Sequence, residues 1–97
     1  MDRSVLLSQL EEYKKNNGKK YGILVMGVFG SVARGQANQF SDVDIVVKMQ
    51  TADPYIIVHM KEELEGQLRM PVDIVRVRDK MNRFLKDRIE KEAIYVQ

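Results

Sequence analysis

The chain of 97 residues contains no cysteine, one histidine and two prolines, and this scarcity excludes several kinds of chemistry. Without cysteine there is no disulfide, no thiolate nucleophile and no sulfur-ligated zinc site. A single histidine excludes a His-rich metal centre. The longest apolar run, Ile23–Phe29 with Gly27 inside it, is far short of the roughly 20 residues that a membrane-spanning helix needs. The first residues show no signal-peptide pattern, so we expect a cytoplasmic protein with no membrane partner.

The composition is that of an ordinary globular domain, with 44% hydrophobic and 31% charged residues. The length predicts one domain covering residues 1–97. The formal net charge is +2, and a basic strip occupies the region from position 69 to position 91. It contains Arg69, Arg76, Arg78, Lys80, Arg83, Lys86, Arg88 and Lys91. Because acids interleave with these bases and few aromatic side chains accompany them, a solvated helix surface is favoured over a nucleic-acid-binding strip.

The spacing of apolar residues and turn signals predicts the element order α-β-α-β-α-β-α, and hence a small sheet covered by helices. The predicted strands cover residues 21–29, 41–49 and 71–76. The predicted helices cover residues 4–17, a short turn or helix after Gly30, residues 53–68 and residues 79–93. Gly18 is the expected stop of the first helix, and Ser31, Asp53 and Asp79 are the expected N-caps of the others. The fold class is α/β in the broad sense that includes α+β, with a mixed sheet of three or more strands.

Three aspartates lie on two of the predicted strands. Side chains alternate along a strand, so Asp42 and Asp44 share one face while Val43 and Ile45 point to the other, which belongs to the core. Asp73 repeats the pattern on the third strand. If these two strands are neighbours, the three carboxylates converge at one end of the sheet.

Convergence of carboxylates requires a compensating charge. Two of them about 5 Å apart repel by roughly 3 kcal/mol at an effective dielectric constant near 20. Three would raise one another's pKa or need a cation, and oxygen ligands select Mg²⁺ or Mn²⁺. Two such ions would serve phosphoryl or nucleotidyl transfer. The structural alternative is that Asp73, alone at a strand edge, serves as a turn or capping residue.

A glycine turn precedes the first two acids in the chain. Gly30 and Ser31 follow a strand and open a short helix, where backbone amides and the serine hydroxyl can bind a phosphate. The turn lacks the lysine of a Walker loop and the third glycine of a dinucleotide-binding loop, and such turns are also common structural features. Arg34 could contact a phosphate, pair with one of the acids, or lie on the surface as an ordinary arginine. Gly35 is assigned to a backbone turn.

Together these residues resemble the nucleotidyltransferase signature of the DNA polymerase beta superfamily. That signature consists of Gly-Ser, then Arg-Gly, then Ser-Asp-x-Asp, with a third Asp on a later strand. The matching residues are Gly30, Ser31, Ala33, Arg34, Gly35, Ser41, Asp42, Asp44 and Asp73. The short chain is similar to the minimal nucleotidyltransferase (MNT) group of that superfamily, which consists of stand-alone domains usually paired with a helical HEPN protein. The resemblance therefore implies a polymerase-beta-like nucleotidyltransferase fold over residues 1–97.

The resemblance also implies the chemistry of the site. Asp42, Asp44 and Asp73 would be catalytic and would hold two Mg²⁺ ions, with Mn²⁺ as an alternative metal. Asp73 would help to deprotonate the attacking hydroxyl. The nucleotide-binding residues would be Gly30, Ser31, Arg34 and Ser41, with ATP as the substrate.

The activity that the resemblance implies is AMP transfer to a hydroxyl, with a tyrosine of a HEPN-type toxin as the acceptor. The chain would then be the antitoxin of a toxin–antitoxin pair, working alone, as a homo-oligomer or with its partner. Three alternatives stay open on the sequence: an antitoxin that only binds its toxin, a nucleotidyltransferase acting on a small molecule such as an antibiotic, and a nucleic-acid-binding module using the basic strip. Nucleic acid is the least expected partner. His59, which lies mid-helix, is assigned to the helix surface.

Overall fold

The computed structural model describes residues 2–36 and 41–97. Helices and strands alternate along the chain, and a short strand follows the last helix. The order is α1 (Arg3–Tyr21), β1 (Ile23–Phe29), α2 (Gly30–Ala33), β2 (Val43–Met49), α3 (Pro54–Leu68), β3 (Val72–Arg76), α4 (Arg83–Glu92) and β4 (Ile94–Tyr95). The predicted fold class is confirmed, and β4 is an addition that the sequence pattern did not indicate. None of these helices is both long enough and apolar enough to cross a lipid bilayer.

The strands form one mixed sheet in the order β3-β2-β1-β4. β1 is antiparallel to both β2 and β4, whereas β2 and β3 are parallel. The parallel register pairs Asp44 with Asp73, and the antiparallel register pairs Phe29 with Asp44. The end of β1 and the beginnings of β2 and β3 therefore meet at one end of the sheet.

Helices cover both faces of the sheet. On one face, Leu10 of α1 and Leu64 of α3 pack with Ile45 of β2 in the larger core cluster. On the other face, Ile89 of α4 packs against Phe29 and Val46 in a smaller cluster. The predicted alternation along β2 is confirmed, because Val43, Ile45 and Val47 all lie in the larger core. Asp42 and Asp44 therefore lie on the opposite face, which α4 covers.

Three of the predicted helix ends are wrong and one is confirmed. α1 continues past Gly18 to Tyr21 and ends at Gly22, which has a left-handed backbone with φ of 69°. α4 begins after Asn82, not after Asp79, because the Asn82 side chain accepts a hydrogen bond from the Leu85 amide (3.1 Å). Asn and Asp cap helices about equally well, so the sequence alone does not separate them. Asp53 caps α3 as predicted, by accepting from the Tyr55 amide. The third error, at Ser31, concerns the functional site.

The extension of α1 has a physical cause in a contact with α3. The hydroxyls of Tyr13 and Tyr21 both donate to Oε1 of Glu63, at 2.8 and 2.9 Å. Burial, followed by the hydrogen bond to Glu63, raises the pKa of the Tyr13 hydroxyl well above its ordinary value, so it stays protonated and donates. The buried Tyr21 ring is thus held in the last turn of α1, and it does not start β1 as predicted. His59 lies on the exposed surface of α3 as predicted, 3.8 Å from Glu63.

Candidate active site

The three predicted acids lie on the same face at one end of the sheet. Asp44 on β2 and Asp73 on β3 are direct partners in the parallel register, so their side chains project from the same face. Asp42 directly precedes β2 and, two residues before Asp44, shares that face. Asp42 and Asp73 are exposed, whereas Asp44 is half-buried. The structure thus brings the three acids together at the margin of the sheet.

Asp44 is the acid that the surroundings perturb most clearly. Burial is the largest cause that raises the pKa of its carboxyl above the ordinary value, and the charge of Asp73 raises it further. Asp42 acts in the same direction, while Arg88 and Arg34 act against it. Burial and the neighbouring aspartates thus disfavour the ionised form of Asp44, and a bound cation would offset that effect.

The donor set fits Mg²⁺ only in combination with a substrate. Among residues 2–36 and 41–97, no three His, Cys, Asp or Glu side chains form a group that could hold a metal by itself. Mg²⁺, however, is commonly held by one or two carboxylates together with substrate phosphates, not by a cage of protein ligands alone. The Asp44 and Asp73 carboxylates, with Asp42 nearby, supply oxygen ligands of this kind.

Gly30 lies directly against the acid cluster. Its φ of 75° is in the left-handed region that favours glycine. A Cβ added at this position would lie 2.3 Å from Oδ2 of Asp44, closer than any side chain can approach. The backbone conformation therefore favours glycine at position 30, and any Cβ there would have to displace the Asp44 carboxylate.

The predicted cap at Ser31 is wrong, and the Gly30 amide of this turn already has a hydrogen-bond partner. α2 has only four residues and begins at Gly30, so Ser31 is its second residue and Phe29 is the residue that precedes it. The Gly30 amide donates to Oε2 of Glu92 at 3.1 Å. The sequence could not show this, because the donor and the acceptor are 62 positions apart.

Arg34 pairs with an acid, but not with one of the three predicted ones. Its Nη1 donates to Oε1 of Glu92 at 2.8 Å, and its Nε donates to Gln36 at 3.0 Å. Arg88 of α4 approaches the other carboxylate oxygen of Glu92 at 3.9 Å. Ser41 is half-buried directly before Asp42, the position that the signature predicts. Arg88 and Glu92 are the residues at the site that sequence reasoning missed; the only signal was their spacing of four along the helix that contains Ile89.

A cavity of about 380 Å³ lies at the opposite end of the sheet from the acids. It is lined by Lys14, Lys15, Gly18, Lys19, Gly22, Ile23, Leu24 and Gln50. The three acids do not line it, so this concavity and the acid cluster are separate features of the molecule.

Comparison with known proteins agrees with the signature. Residues 10–96 match the nucleotidyltransferase domain family. The protein adenylyltransferase MntA of Thermococcus cleftensis is 32% identical over 90 residues, which are 92% of this chain and 90% of that protein. A solved structure provisionally named as a minimal nucleotidyltransferase is 33% identical, covers 97% of this chain and 95% of its own, and superposes with a TM-score of 0.78.

A more distant structure shares the fold. It is a chain of the complex between a tri-AMPylated HEPN toxin and its MNT antitoxin from Shewanella oneidensis. The match is 18% identical, with a TM-score of 0.73, and covers 98% of this chain and 71% of that one.

Proposed function

The chain belongs to the nucleotidyltransferase domain family, and we propose that it is a Mg²⁺-dependent protein adenylyltransferase that transfers AMP from ATP to a tyrosine of a HEPN-type toxin. In this proposal residues 1–97 act as one minimal domain, and the chain is the antitoxin of the pair. Cytoplasm, where ATP and Mg²⁺ are available, is the expected location.

The observation that carries the proposal is the register of β2 and β3. It places Asp44 beside Asp73, with Asp42 on the same face and Gly30 against the Asp44 carboxylate. Nothing in the packing of the core requires acids at these positions, and the charge of Asp73 adds to burial in raising the pKa of Asp44. Proteins retain such an arrangement at functional sites.

The proposed roles of the chain's own residues come from the signature, and the positions of these residues support them. Asp42 and Asp44 would hold both metal ions and Asp73 one of them, and bound Mg²⁺ would neutralise the triphosphate and polarise the α-phosphate. The acceptor oxygen attacks the α-phosphorus, the bond to the β-phosphate oxygen breaks, and pyrophosphate leaves. Asp73, exposed at the start of the outer strand, accepts the proton of the attacking hydroxyl. Gly30, Ser31, Arg34 and Ser41 would bind the nucleotide.

Three observations support a protein as the acceptor. The relative from Thermococcus cleftensis is named a protein adenylyltransferase, and the Shewanella oneidensis complex contains an AMPylated HEPN toxin. In addition, Asp42 and Asp73 are exposed to solvent, so a bulky acceptor has access to them.

The decisive experiment mixes the purified chain, α-labelled ATP and Mg²⁺ with a HEPN-type protein from the same organism, the partner that the proposal names. We expect label on a tyrosine of the partner, and loss of labelling in the double variant Asp42→Asn, Asp44→Asn. Neutralisation of the partner without any label would replace the proposal with a binding-only antitoxin. Labelling of a hydroxylated small molecule in the absence of the partner would replace it with a small-molecule transferase.

A further inference from the structure

A carboxylate from the last helix lies in the turn that the signature assigns to the nucleotide. Oε2 of Glu92 accepts the hydrogen bond of the Gly30 amide at 3.1 Å, and Oε1 accepts from Nη1 of Arg34 at 2.8 Å. Nη2 of Arg88 is 3.9 Å from Oε2. One anionic group thus contacts the backbone amide of the signature glycine and two guanidinium groups.

The same two arginines also act on the acid cluster. Arg88 and Arg34 both lower the pKa of Asp44, so their charges lie close to it. Arg88 is further positioned by the ring of Phe29, whose centroid is 5.8 Å from its guanidinium carbon. Phe29 is the direct register partner of Asp44. The same two cations thus contact Glu92 and act electrostatically on Asp44, one of the predicted metal ligands.

We propose that Arg88 and Glu92 belong to the nucleotide site: in the unliganded protein the Glu92 carboxylate occupies the position of a phosphate group, and nucleotide binding displaces it and leaves Arg34 and Arg88 to the triphosphate. This inference rests on the proposed function, because it names further residues of that same site. Neither residue is part of the signature.

Displacement of Glu92 requires only side-chain rotation. Glu92 is the last residue of α4, and its side chain is 20% exposed. Its two partners are more exposed, at 40% for Arg34 and 51% for Arg88. Ion pairs at such exposed positions are weakly held, and a triphosphate presents a larger negative charge to the same two guanidinium groups.

A purely structural role for Glu92 would be to attach α4 to α2, and it predicts the opposite result in a binding experiment. If Glu92 only fixes Arg34 and α4 in place, its removal weakens phosphate binding. If Glu92 competes with phosphate, its removal strengthens binding.

The test is calorimetric titration of the chain with inorganic tripolyphosphate in Mg²⁺ buffer, which requires no transfer reaction. We expect Glu92→Gln to bind tripolyphosphate roughly tenfold tighter than wild type does. That factor corresponds to a Glu92 carboxylate that blocks the phosphate position in about nine-tenths of the wild-type molecules. Glu92→Ala should show at least the same gain. The matched control is Glu90→Gln, which removes an equal charge from an exposed position of the same helix and should leave the affinity unchanged.

A second variant pair tests Arg88. Arg88→Ala should weaken tripolyphosphate binding by roughly tenfold, a typical loss for a charge-assisted contact. Arg83→Ala, at an exposed position in the first turn of α4, should not weaken it. In a nitrogen–proton correlation spectrum, the Gly30 amide signal should shift in Glu92→Gln and on titration of wild type with tripolyphosphate.

Unchanged or weaker binding in both Glu92 variants would overturn the inference, and so would an Arg88→Ala variant with wild-type affinity. These outcomes are distinguishable from failure of the proposed function. Labelling of the partner with unchanged affinities refutes only the role of Glu92 and Arg88. Tighter binding by Glu92→Gln without any labelling supports the inference and refutes only the assigned reaction.

Discussion

Replacing Gly30 with alanine perturbs the closest contact between the glycine turn and the acid cluster. The substitution adds a single methyl group, and the structure places that methyl 2.3 Å from Oδ2 of Asp44. It also forces a residue with a Cβ to adopt φ of 75°. The two effects act on different properties of the protein, which makes them separable.

The backbone effect determines the loss of stability. A non-glycine residue in the left-handed region costs about 1–2 kcal/mol. For a domain of this size that corresponds to a fall in melting temperature of about 5–15 °C. The contact with Asp44 adds little to this, because a carboxylate at the end of a short side chain can rotate away, and Asp44 is only half-buried.

The rotation of Asp44 determines the loss of activity. A rotated carboxylate would no longer lie beside Asp73, so in the proposed reaction the two acids could not act together on one metal-bound triphosphate. A displacement of about 1 Å in a catalytic group can cost on the order of 100-fold in rate. We therefore expect Gly30→Ala to stay folded, to melt at a lower temperature and to lose at least that factor in AMP transfer.

The assay combines a thermal melt with the labelled-ATP reaction under single-turnover conditions. Gly66→Ala is the matched control, because Gly66 lies within α3 and a Cβ there meets no atom within 4 Å. Alanine at position 66 should raise the free energy of unfolding by about 0.5–1 kcal/mol and leave the transfer rate unchanged. A Gly30→Ala protein that transfers AMP at the wild-type rate would refute the assignment of Asp44 to the active site.

Three further substitutions test the electrostatics and the helix ends. Asp44→Asn should stabilise the metal-free protein at pH 7 by less than about 1 kcal/mol, because burial first and the charge of Asp73 second raise the pKa of Asp44, while solvent screens this half-exposed group. The accompanying rise in melting temperature should vanish as the pH falls below 3.8, where the wild-type carboxyl is protonated in both the folded and the unfolded state. Tyr13→Phe should lower the free energy of unfolding at pH 7, measured by urea denaturation, by about 1–2 kcal/mol, because the hydrogen bond to Glu63 is lost. The control is Tyr55→Phe, which should show no measurable change because Tyr55 is 85% exposed. Arg69→Gly should raise the melting temperature, because Arg69 is the C-cap of α3 with φ of 57° and glycine removes about 1 kcal/mol of backbone strain there. An unchanged melting temperature would contradict this account of the cap.

The convergence of the acids was predictable because it depends on two local rules. Alternation along β2 assigns Asp42 and Asp44 to one face, and the apolar residues between them assign the other face to the core. Asp73 follows from the same alternation, provided that β2 and β3 are neighbours, which the structure confirms. The roles of these acids as metal ligands stay predictions until the transfer assay is done.

The helix ends were harder to predict, because several residues of the right type compete within one turn. Asp79 and Asn82 are both good capping residues, and only the packing of α4 on the sheet selects Asn82. Gly18 and Gly22 are both suitable stops, and the hydroxyl contact of Tyr21 with Glu63 selects Gly22. These choices are made by tertiary contacts, so local propensity does not determine them.

Two features of the site had no readable signal in the sequence. The contact between Glu92 and the Gly30 amide joins residues 62 positions apart and depends on the position of α4 over the sheet. β4 has only two residues, too few for any periodicity to appear. Its close approach to β1 depends on Gly27, where a Cβ would lie 2.5 Å from the backbone oxygen of Ile94.

The order of the strands has a consequence for how an acceptor reaches the reaction. β3 is the outermost strand on its side of the sheet, and Asp73 lies at the start of it. In the proposed reaction the proton acceptor, Asp73, therefore lies at an exposed edge of the sheet among the residues that the structure describes. Selection between acceptors in that reaction would then depend mainly on the shape and charge of the protein that docks at this edge.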